Sequence, residues 1–257
     1  MVAVALTIAG SDPSGGAGIQ ADLKTFHQFG VYGEAAITLL TVQNTQRVSR
    51  VEPMAADLVR EQVEAVISDI PPGAAKTGAL GDAAIVETVA ELASSFPFPL
   101  VVDPVMISKH GASLLSAEAV EAMKRRLIPR AFLVTPNIPE AEALTGTEDI
   151  ALAGRRLLDL GCQAVLIKGG HAAGEPVDVL FTQDGSMSFP GRRVFTKRTH
   201  GTGCTFSAAI TACLAQGNGL EEAVRRSKRF VQEAIETAPA LGQGHGPVNH
   251  FPSTSAL

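Results

Sequence analysis

Short, predominantly apolar segments alternate with longer amphipathic segments along most of this chain, and that alternation constrains the fold more than any other feature of the sequence. Val4–Ala9, Leu100–Asp103, Phe132–Thr135 and Ala164–Lys168 are segments of the first kind. Strands that are apolar on both faces are typical of a parallel sheet that helices cover on both sides. The predicted fold class is therefore α/β with a central, mostly parallel sheet, and ligands are expected beyond the carboxyl ends of its strands.

Helix and turn signals between these strands support the same fold. Ile19, Leu23 and Phe26 recur at helical spacing. Ser116 is predicted to cap a helix that runs to Leu127. Further predicted elements are a strand at Ala35–Thr41, a hairpin of Val177–Thr182 and Met187–Phe189 around Asp184-Gly185, and helices at Thr205–Gln216 and Leu220–Glu236.

The composition predicts one globular domain and argues against several kinds of partner. The chain has 257 residues and 46% hydrophobic content, so we expect a single domain at residues 1–251 and a loose tail at residues 252–257. The net charge is −5, and the sequence holds one Tyr and no Trp, which argues against a nucleic-acid partner. No segment approaches the ~20 apolar residues of a membrane span, and the N-terminus lacks the basic region of a secretory signal.

The cysteines indicate a reducing compartment. There are three, Cys162, Cys204 and Cys213, and none forms a Cys-x-x-Cys pair. An odd number without such a pair argues against a disulfide scaffold or a structural zinc site. The predicted location is the cytoplasm.

A glycine-rich segment, Gly10–Gly18, follows the first strand and opens a helix. It lacks the Lys-Ser/Thr of a Walker A loop and the spacing of the dinucleotide motif G-x-G-x-x-G. Its glycines suit a tight turn and a close approach of backbone to a ligand equally well. Asp22, just beyond, either complements the helix dipole or accepts a hydrogen bond from a substrate, and the residue taken alone favours the dipole.

Polar side chains also follow three later strands. Asp103 ends one strand, and Asn137 and Glu140 follow another. Their oxygens suit Mg²⁺, which takes few direct protein ligands, although Asn137 also fits a helix cap. Lys168 stands between an apolar strand and Gly169-Gly170, where it is well placed to meet a phosphate as a point charge.

The strongest motif is Thr199–Ala209, THGTGCTFSAA. Glycines at the start of a helix of small residues leave free backbone N–H groups that form an anion hole, which phosphoryl transfer needs. Cys204 lies at the first helical turn, where the pKa of a thiol is lowered, so it is a candidate base. Cys162 and Cys213 are interpreted as small core residues.

These residues resemble the hydroxymethylpyrimidine/phosphomethylpyrimidine kinase family of thiamin biosynthesis, in the ribokinase-like superfamily. The resemblance runs from about Leu6 to Phe251. It rests on Thr7–Lys24, Gln43–Thr45, Lys76–Gly78, Val102–Met106, Thr135–Asn137, Lys168–His171, Thr199–Cys204 and Gly246–Val248.

The resemblance implies a two-step, ATP-dependent kinase with Mg²⁺, which converts hydroxymethylpyrimidine to its monophosphate and then to its diphosphate. It also implies a small β extension near the substrate site and a homodimer. The implied residues are Gly10, Asp22, Gln43 and Val105 for the pyrimidine; Asp103, Asn137 and Glu140 for Mg²⁺ and the phosphates; Lys168 for the transferring phosphate; Gly201, Thr202 and Gly203 for the anion hole; and Cys204 as catalytic base.

Two positions depart from the family pattern, and two other functions stay open. Arg198 stands where Asn is expected, and Ala79 replaces a Met that lines the pyrimidine pocket in some members. One alternative is a pyridoxal kinase on the same scaffold. The other is a non-catalytic ligand-binding domain, which the presence of Asp103, Lys168 and Cys204 disfavours.

Overall fold

The computed structural model describes residues 2–107, 111, 114–171 and 174–252. These residues include nine strands: β1 Val4–Ser11, β2 Tyr32–Gln43, β3 Val48–Pro53, β4 Ala74–Thr77, β5 Leu100–Val102, β6 Leu133–Val134, β7 Ala164–Ile167, β8 Val177–Thr182 and β9 Gly185–Pro190. They form one sheet in the order β3-β2-β1-β4-β5-β6-β7-β8-β9. The six central strands, β2, β1, β4, β5, β6 and β7 in spatial order, pair in parallel. Strand β3 at one edge and strands β8 and β9 at the other edge pair in antiparallel fashion. The predicted mostly parallel sheet is confirmed.

Helices cover both faces of this sheet. The α-helices are α1 Gly18–Gln28, α2 Ala56–Asp69, α3 Ala83–Ala93, α4 Ala117–Ala122, α5 Ile138–Thr145, α6 Ile150–Asp159, α7 Thr202–Ala215 and α8 Leu220–Glu236. One buried cluster joins the sheet to α2 through α6. A second cluster joins the opposite face to α1, α7 and α8. Val101 and Val102, successive residues of β5, belong to opposite clusters, because neighbouring side chains of a strand point to opposite faces.

The local signals for helix starts and for the hairpin are confirmed. The Ser116 hydroxyl accepts a hydrogen bond from Ala119 N at 3.2 Å, so it caps α4. A π-helical turn, Met123–Leu127, then extends this helix to the predicted end. Strands β8 and β9 pair around Asp184-Gly185, as the alternation there predicts.

Three boundaries differ from the sequence-based prediction. Strand β1 continues through Gly10 to Ser11, with a shift in its register with β2 between Ala9 and Ser11. Helix α7 begins at Thr202 rather than Thr205, because Gly201 adopts a left-handed conformation (φ 80°) and serves as its N-cap. The sequence analysis missed β3, whose residues are exposed or only partly buried, so the strand carries no apolar run.

The β2–β3 hairpin is the antiparallel extension that the family resemblance implies. None of the described helices is both long and apolar enough to cross a membrane. The single-domain assignment to residues 1–251 stays a prediction. Of the predicted loose tail at residues 252–257, all positions from 253 onward lie outside the described residues.

Candidate active site

The carboxyl ends of β5, β6 and β7 meet at one edge of the sheet. Asp103 follows β5, and its Oδ1 accepts a hydrogen bond from Lys168 Nζ, after β7, at 2.8 Å. Lys168 N donates to Pro136 O at 2.8 Å, which places Lys168 beside Asn137 at the end of β6. Side chains that are far apart in the sequence are therefore brought together where the parallel sheet predicts a ligand site.

Asp103 is held in its ionised form by several donors. Its Oδ1 also accepts from Thr135 Oγ1 at 3.2 Å, and its Oδ2 accepts from Ser207 Oγ of α7 at 3.1 Å. Burial acts to raise the pKa of this carboxyl, but the nearby charges of Lys168 and Lys76 hold the pKa below its ordinary value. Lys168 keeps 13% of its side chain exposed, so its ammonium group can still reach a ligand.

Asn137 and Glu140 form a reciprocal cap at the start of α5. Asn137 Oδ1 accepts from Glu140 N at 2.9 Å, and Glu140 Oε2 accepts from Asn137 N at 2.8 Å. The capping interpretation of Asn137 is thus realised. Burial raises the pKa of Glu140 to about 7, although the charge of Lys168 opposes that shift.

Asp103 and Glu140 are two carboxylates close to Lys168 that could hold Mg²⁺. The described residues contain no group of three His, Cys, Asp or Glu side chains that could hold a metal. Two carboxylates nevertheless fit Mg²⁺, which in kinases is bound through one or two carboxylates and the phosphates of the substrate. A cation near Glu140 would also stabilise the ionised form of a carboxyl that burial disfavours.

The first turn of α7 faces this group of charges. A Cβ atom built on Gly203 would lie 3.4 Å from Lys168 Nζ and 3.9 Å from Asp103 Oδ2. Thr202 N donates to Thr199 O, whereas within the described residues the N–H groups of Gly203 and Cys204 have no partner. Free N–H groups at a helix N-terminus beside a lysine can bind an anion.

The two glycine-rich segments touch each other. A Cβ atom on Gly201 would lie 1.7 Å from Gly16 O, and Gly201 has a φ of 80°. No other residue can replace glycine there without moving the backbone. In the first segment, a Cβ atom on Gly10 would lie 2.5 Å from Leu39 Cδ1, so any side chain at that position would have to displace Leu39 of β2.

The lowered pKa that we predicted for Cys204 is wrong. Cys204 is the third residue of α7, as predicted for the first turn, but burial raises the pKa of its thiol to about 12. The charge of Lys76 acts in the opposite direction, and the carboxylates of Asp22 and Asp103 reinforce the increase. The desolvation of the thiolate therefore outweighs the favourable field of the helix N-terminus.

A second buried ion pair, Lys76–Asp22, also lies close to Cys204. Asp22 Oδ2 accepts from Lys76 Nζ at 2.8 Å and from Thr7 Oγ1 at 2.7 Å, and both charged side chains are fully buried. Asp22 Oδ1 has no hydrogen-bond partner in the described part of the chain. Burial raises the pKa of Asp22, and the charge of Lys76 opposes this. Asp22 is the fifth residue of α1, beyond its first turn, so the dipole interpretation is wrong.

The remaining predicted residues lie near these groups. Gln43 is the last residue of β2, and its side-chain amide lies 3.2 Å from His200 Nε2, immediately before the α7 cap. Val105 lies two residues beyond Asp103, and its backbone N donates to Asp103 O at 2.9 Å. Val105 is partly buried.

Sequence analysis missed several polar residues of this region: Thr7, Asp12, Lys76, His200 and Ser207. Lys76 carried a usable signal, because a lysine within the short strand Ala74–Thr77 is as unusual as Lys168 at the end of β7. Asp12 and His200 stood in the motifs that carry the family resemblance, but their mutual contact joins residues 188 positions apart. That distance along the chain left no local pattern to read.

A parallel α/β sheet with a lysine, two carboxylates and a glycine-rich helix N-terminus at one edge defines a phosphotransferase. Residues 12–249 match the family model described as phosphomethylpyrimidine kinase. The chain belongs to this kinase family.

Three known proteins show how similar the chain is to its relatives. It is 48% identical over 255 residues to the hydroxymethylpyrimidine/phosphomethylpyrimidine kinase of Bacillus subtilis, covering 96% of this chain and 94% of that protein. It is 51% identical over 253 residues to the thiamine biosynthesis bifunctional protein ThiED of Geobacter sulfurreducens; 96% of this chain spans only 52% of that protein. The solved ADP complex of Bacillus subtilis pyridoxal kinase has a TM-score of 0.90 and 37% identity, with 98% of each chain covered.

Proposed function

We propose that this kinase transfers phosphate from ATP to hydroxymethylpyrimidine and then to the resulting monophosphate, as a step of thiamin biosynthesis. The observation that carries the proposal is the arrangement around Cys204. A buried carboxylate with one unpaired oxygen, Asp22, and the Lys168–Asp103 pair both lie close enough to Cys204 to act on it electrostatically. An acceptor for a polar ring and a site for phosphate thus both lie near the place where transfer would occur.

Asp22 and Gln43 are proposed to bind the pyrimidine. The unpaired Oδ1 of Asp22 is an acceptor for the amino group of the ring. A hydrogen bond from that group would remove the energetic cost of burying an oxygen without a hydrogen-bond donor. Gly10, near the end of β1, lets the backbone approach the substrate closely, and Val105 supplies an apolar wall beside Asp103. Ala79, which replaces a larger side chain of some relatives, leaves more room for the ring.

Lys168 and the start of α7 are proposed to bind the transferring phosphate. Charge builds up on the phosphate oxygens during transfer, and fixed donors already in place stabilise it. Gly203 contributes a free N–H beside Lys168, and Gly201 and Thr202 shape the turn. Asp103 and Glu140 would hold Mg²⁺, and Asn137, which lies between β6 and α5, would contact the phosphates of ATP. When bound, this ion neutralises charge on the phosphates.

Cys204 is proposed as the base that accepts the proton of the alcohol in the first step. With a pKa of about 12, the thiol is mostly protonated near neutral pH, so this step should be the one limited by ionisation of the enzyme. The nucleophile of the second step is a phosphate oxygen that has no alcohol proton to lose. That step therefore does not require Cys204 as a base.

Pyridoxal phosphorylation is the second candidate, because the fold overlaps closely with that of a pyridoxal kinase. The higher identity to the hydroxymethylpyrimidine/phosphomethylpyrimidine kinase of Bacillus subtilis, 48% against 37%, favours the pyrimidine. The test is a panel of steady-state assays with Mg-ATP and hydroxymethylpyrimidine, its monophosphate or pyridoxal. We expect the largest kcat/KM with the pyrimidines. A larger kcat/KM for pyridoxal than for either pyrimidine would replace this assignment with the alternative.

The family resemblance supports a homodimer, and the cysteines support a cytoplasmic location. The three cysteines are all free thiols, consistent with a reducing compartment. Leu40 and Val42, two positions apart on β2, are 45% and 57% exposed, so the β2–β3 hairpin offers an apolar surface for a second copy. Light scattering should give twice the chain mass for the wild type, and a single-chain mass at working concentration would contradict the dimer.

A further inference from the structure

Gln43, His200 and Asp12 form a connected row of polar side chains beside the proposed pyrimidine site. His200 Nε2 lies 2.7 Å from Asp12 Oδ2 and 3.2 Å from the Gln43 amide. His200 and Asp12 are both 3% exposed. The backbone of His200 is fixed as well, because its N donates to Gly246 O at 3.0 Å and its O accepts from Val248 N at 3.2 Å.

Asp12 is an anchored acceptor. Its carboxylate accepts hydrogen bonds from Ser14 N, from Ser14 Oγ and from Ala17 N, at distances of 2.7–2.9 Å. Each carboxylate oxygen already accepts a backbone N–H group, Oδ1 from Ser14 and Oδ2 from Ala17, and such donors stabilise the ionised form. The carboxylate therefore has no proton to offer to the imidazole.

It follows that His200 Nε2 carries a hydrogen. A ring nitrogen at 2.7 Å from a carboxylate oxygen must donate, because two lone pairs at that distance would repel each other. Whether His200 is neutral or charged, Nε2 then has no lone pair left to accept a hydrogen bond. The single Nε2 hydrogen is donated chiefly to Asp12 and can be shared only with a second acceptor, whereas the hydrogens of an amide nitrogen would be repelled by it. The atom of Gln43 that faces Nε2 is therefore the amide oxygen, and the two ends of a carboxamide differ only by a 180° rotation.

Thr41 supports the same orientation independently. Its hydroxyl has one hydrogen, which is donated to Ser11 O at 2.9 Å. The Gln43 amide atom at 3.3 Å from Thr41 Oγ1 must then be a donor, which is the amide nitrogen. Both neighbours of Gln43 require the oxygen toward His200 and the nitrogen toward Thr41.

We propose that Asp12 and His200 are positioning residues that lock the Gln43 carboxamide in this one orientation, so that Gln43 offers the substrate a fixed N–H donor. A ring with an unprotonated nitrogen at that position is accepted, and a ring with a donor there is rejected. The inference rests on the proposed function, in which Gln43 contacts the pyrimidine. It makes the specificity of Gln43 depend on two residues that need not touch the substrate.

The first test compares His200→Gln with His200→Leu. The amide nitrogen of Gln can occupy the position of Nε2 and donate, whereas Leu cannot. For His200→Leu we expect KM for the pyrimidine to rise about 10-fold, which corresponds to the loss of one hydrogen bond to the substrate. KM for ATP should stay nearly unchanged. His200→Gln should restore most of the loss. Equal KM values for the pyrimidine in the two variants, or an equal rise in KM for ATP, would overturn the proposal.

A double-mutant cycle with Gln43→Leu separates positioning from general damage. If His200 acts through Gln43, His200→Leu should add almost nothing to KM once Gln43 is Leu. Additive effects would mean that His200 acts by another route. Circular dichroism of each variant checks that it is folded.

The second test needs neither substrate nor variants. NMR of wild-type protein labelled with ¹⁵N-histidine should show a hydrogen on Nε2 of His200. An unprotonated Nε2 would overturn the proposal whatever the substrate is. If the substrate panel instead favours pyridoxal while Nε2 is protonated, the proposed function fails and the hydrogen-bond assignment stands.

Discussion

The two lysine–carboxylate pairs beside Cys204 have the same chemistry and different surroundings. Lys76–Asp22 and Lys168–Asp103 each have a 2.8 Å contact between Nζ and a carboxylate oxygen. Both lysines come from short apolar strands of the parallel sheet. The first pair is completely buried, whereas Lys168 keeps 13% of its side chain exposed beside the free N–H groups of α7.

This difference in exposure indicates different functions. A sealed lysine cannot reach a phosphate, so Lys76 is suited to hold Asp22 in place and to keep it charged. Burial acts to lower the pKa of Lys76, but the charges of Asp22 and Asp103 and the hydrogen bond to Asp22 raise it above the ordinary value. Lys168 has the same electrostatic support and remains accessible, so it is suited to contact the transferring group.

The largest expected effect concerns Cys204, which interacts electrostatically with both lysines. Cys204→Ala should lower kcat for the alcohol by about 10²–10⁴-fold, the usual loss when a general base is removed. Phosphorylation of the monophosphate should fall far less. Separate rate measurements with each substrate test this, and Cys213→Ala, a buried cysteine of the same helix, is the matched control.

The pH dependence sharpens the same prediction. Below the thiol pKa of about 12, the thiolate fraction rises as the pH rises. The first phosphorylation should therefore accelerate between pH 7 and 9 by about tenfold per pH unit, and Cys204→Ala should abolish that slope. Small and equal losses in both steps, with an unchanged pH profile, would show that Cys204 is only a packing residue.

Lys168→Met should lower kcat for both steps by about 10²–10³-fold, as for the loss of one donor to a developing negative charge. Asp103 would keep its hydrogen bonds from Thr135 and Ser207, so the fold should survive. Activity near that of the wild type would remove Lys168 from the phosphate site.

Lys76→Met should act mainly on stability. Removing one partner of a fully buried pair typically costs about 3–5 kcal/mol, because the other charge is left unpaired. Urea unfolding measures this loss, and the double variant Lys76→Met/Asp22→Leu should recover much of it. A stability loss no greater than that of Lys168→Met would contradict the contrast between the two pairs.

The smallest expected effect uses Glu34, a buried carboxylate without a lysine partner. Its Oε2 has no hydrogen-bond partner among the described residues, and burial, assisted by Asp69, raises its pKa to about 7. Since Glu34 in the unfolded chain has an ordinary pKa of 4.5, wild-type stability should fall as the pH rises from there to about 7. Glu34→Gln should remove part of that fall and add about 2 kcal/mol at pH 8. Unfolding curves at pH 5 and pH 8 check this, and an unchanged difference between them would contradict it.

The alternation of apolar and amphipathic segments was enough to predict the fold and part of the candidate site. The apolar strands indicated the parallel sheet, and the residues after them, Asp103 and Lys168, do meet at its edge. Sequence patterns failed where the energy depends on three-dimensional burial. The thiol of Cys204 was expected to ionise easily from its helix position, but desolvation controls its pKa. The Lys76–Asp22 pair joins residues 54 positions apart, and no local pattern predicts such a contact.

The most direct test of this division of function is calorimetric titration of two variants with two ligands. Asp22→Asn and Lys168→Met would each be titrated with hydroxymethylpyrimidine and with a non-hydrolysable ATP analogue in the presence of Mg²⁺. Asp22→Asn should weaken the pyrimidine by about 10-fold or more while sparing the nucleotide, because it changes the acceptor that faces the ring. Lys168→Met should weaken the nucleotide and spare the pyrimidine. Loss of the same ligand in both variants would contradict the assignment of one pair to the substrate and the other to the phosphate.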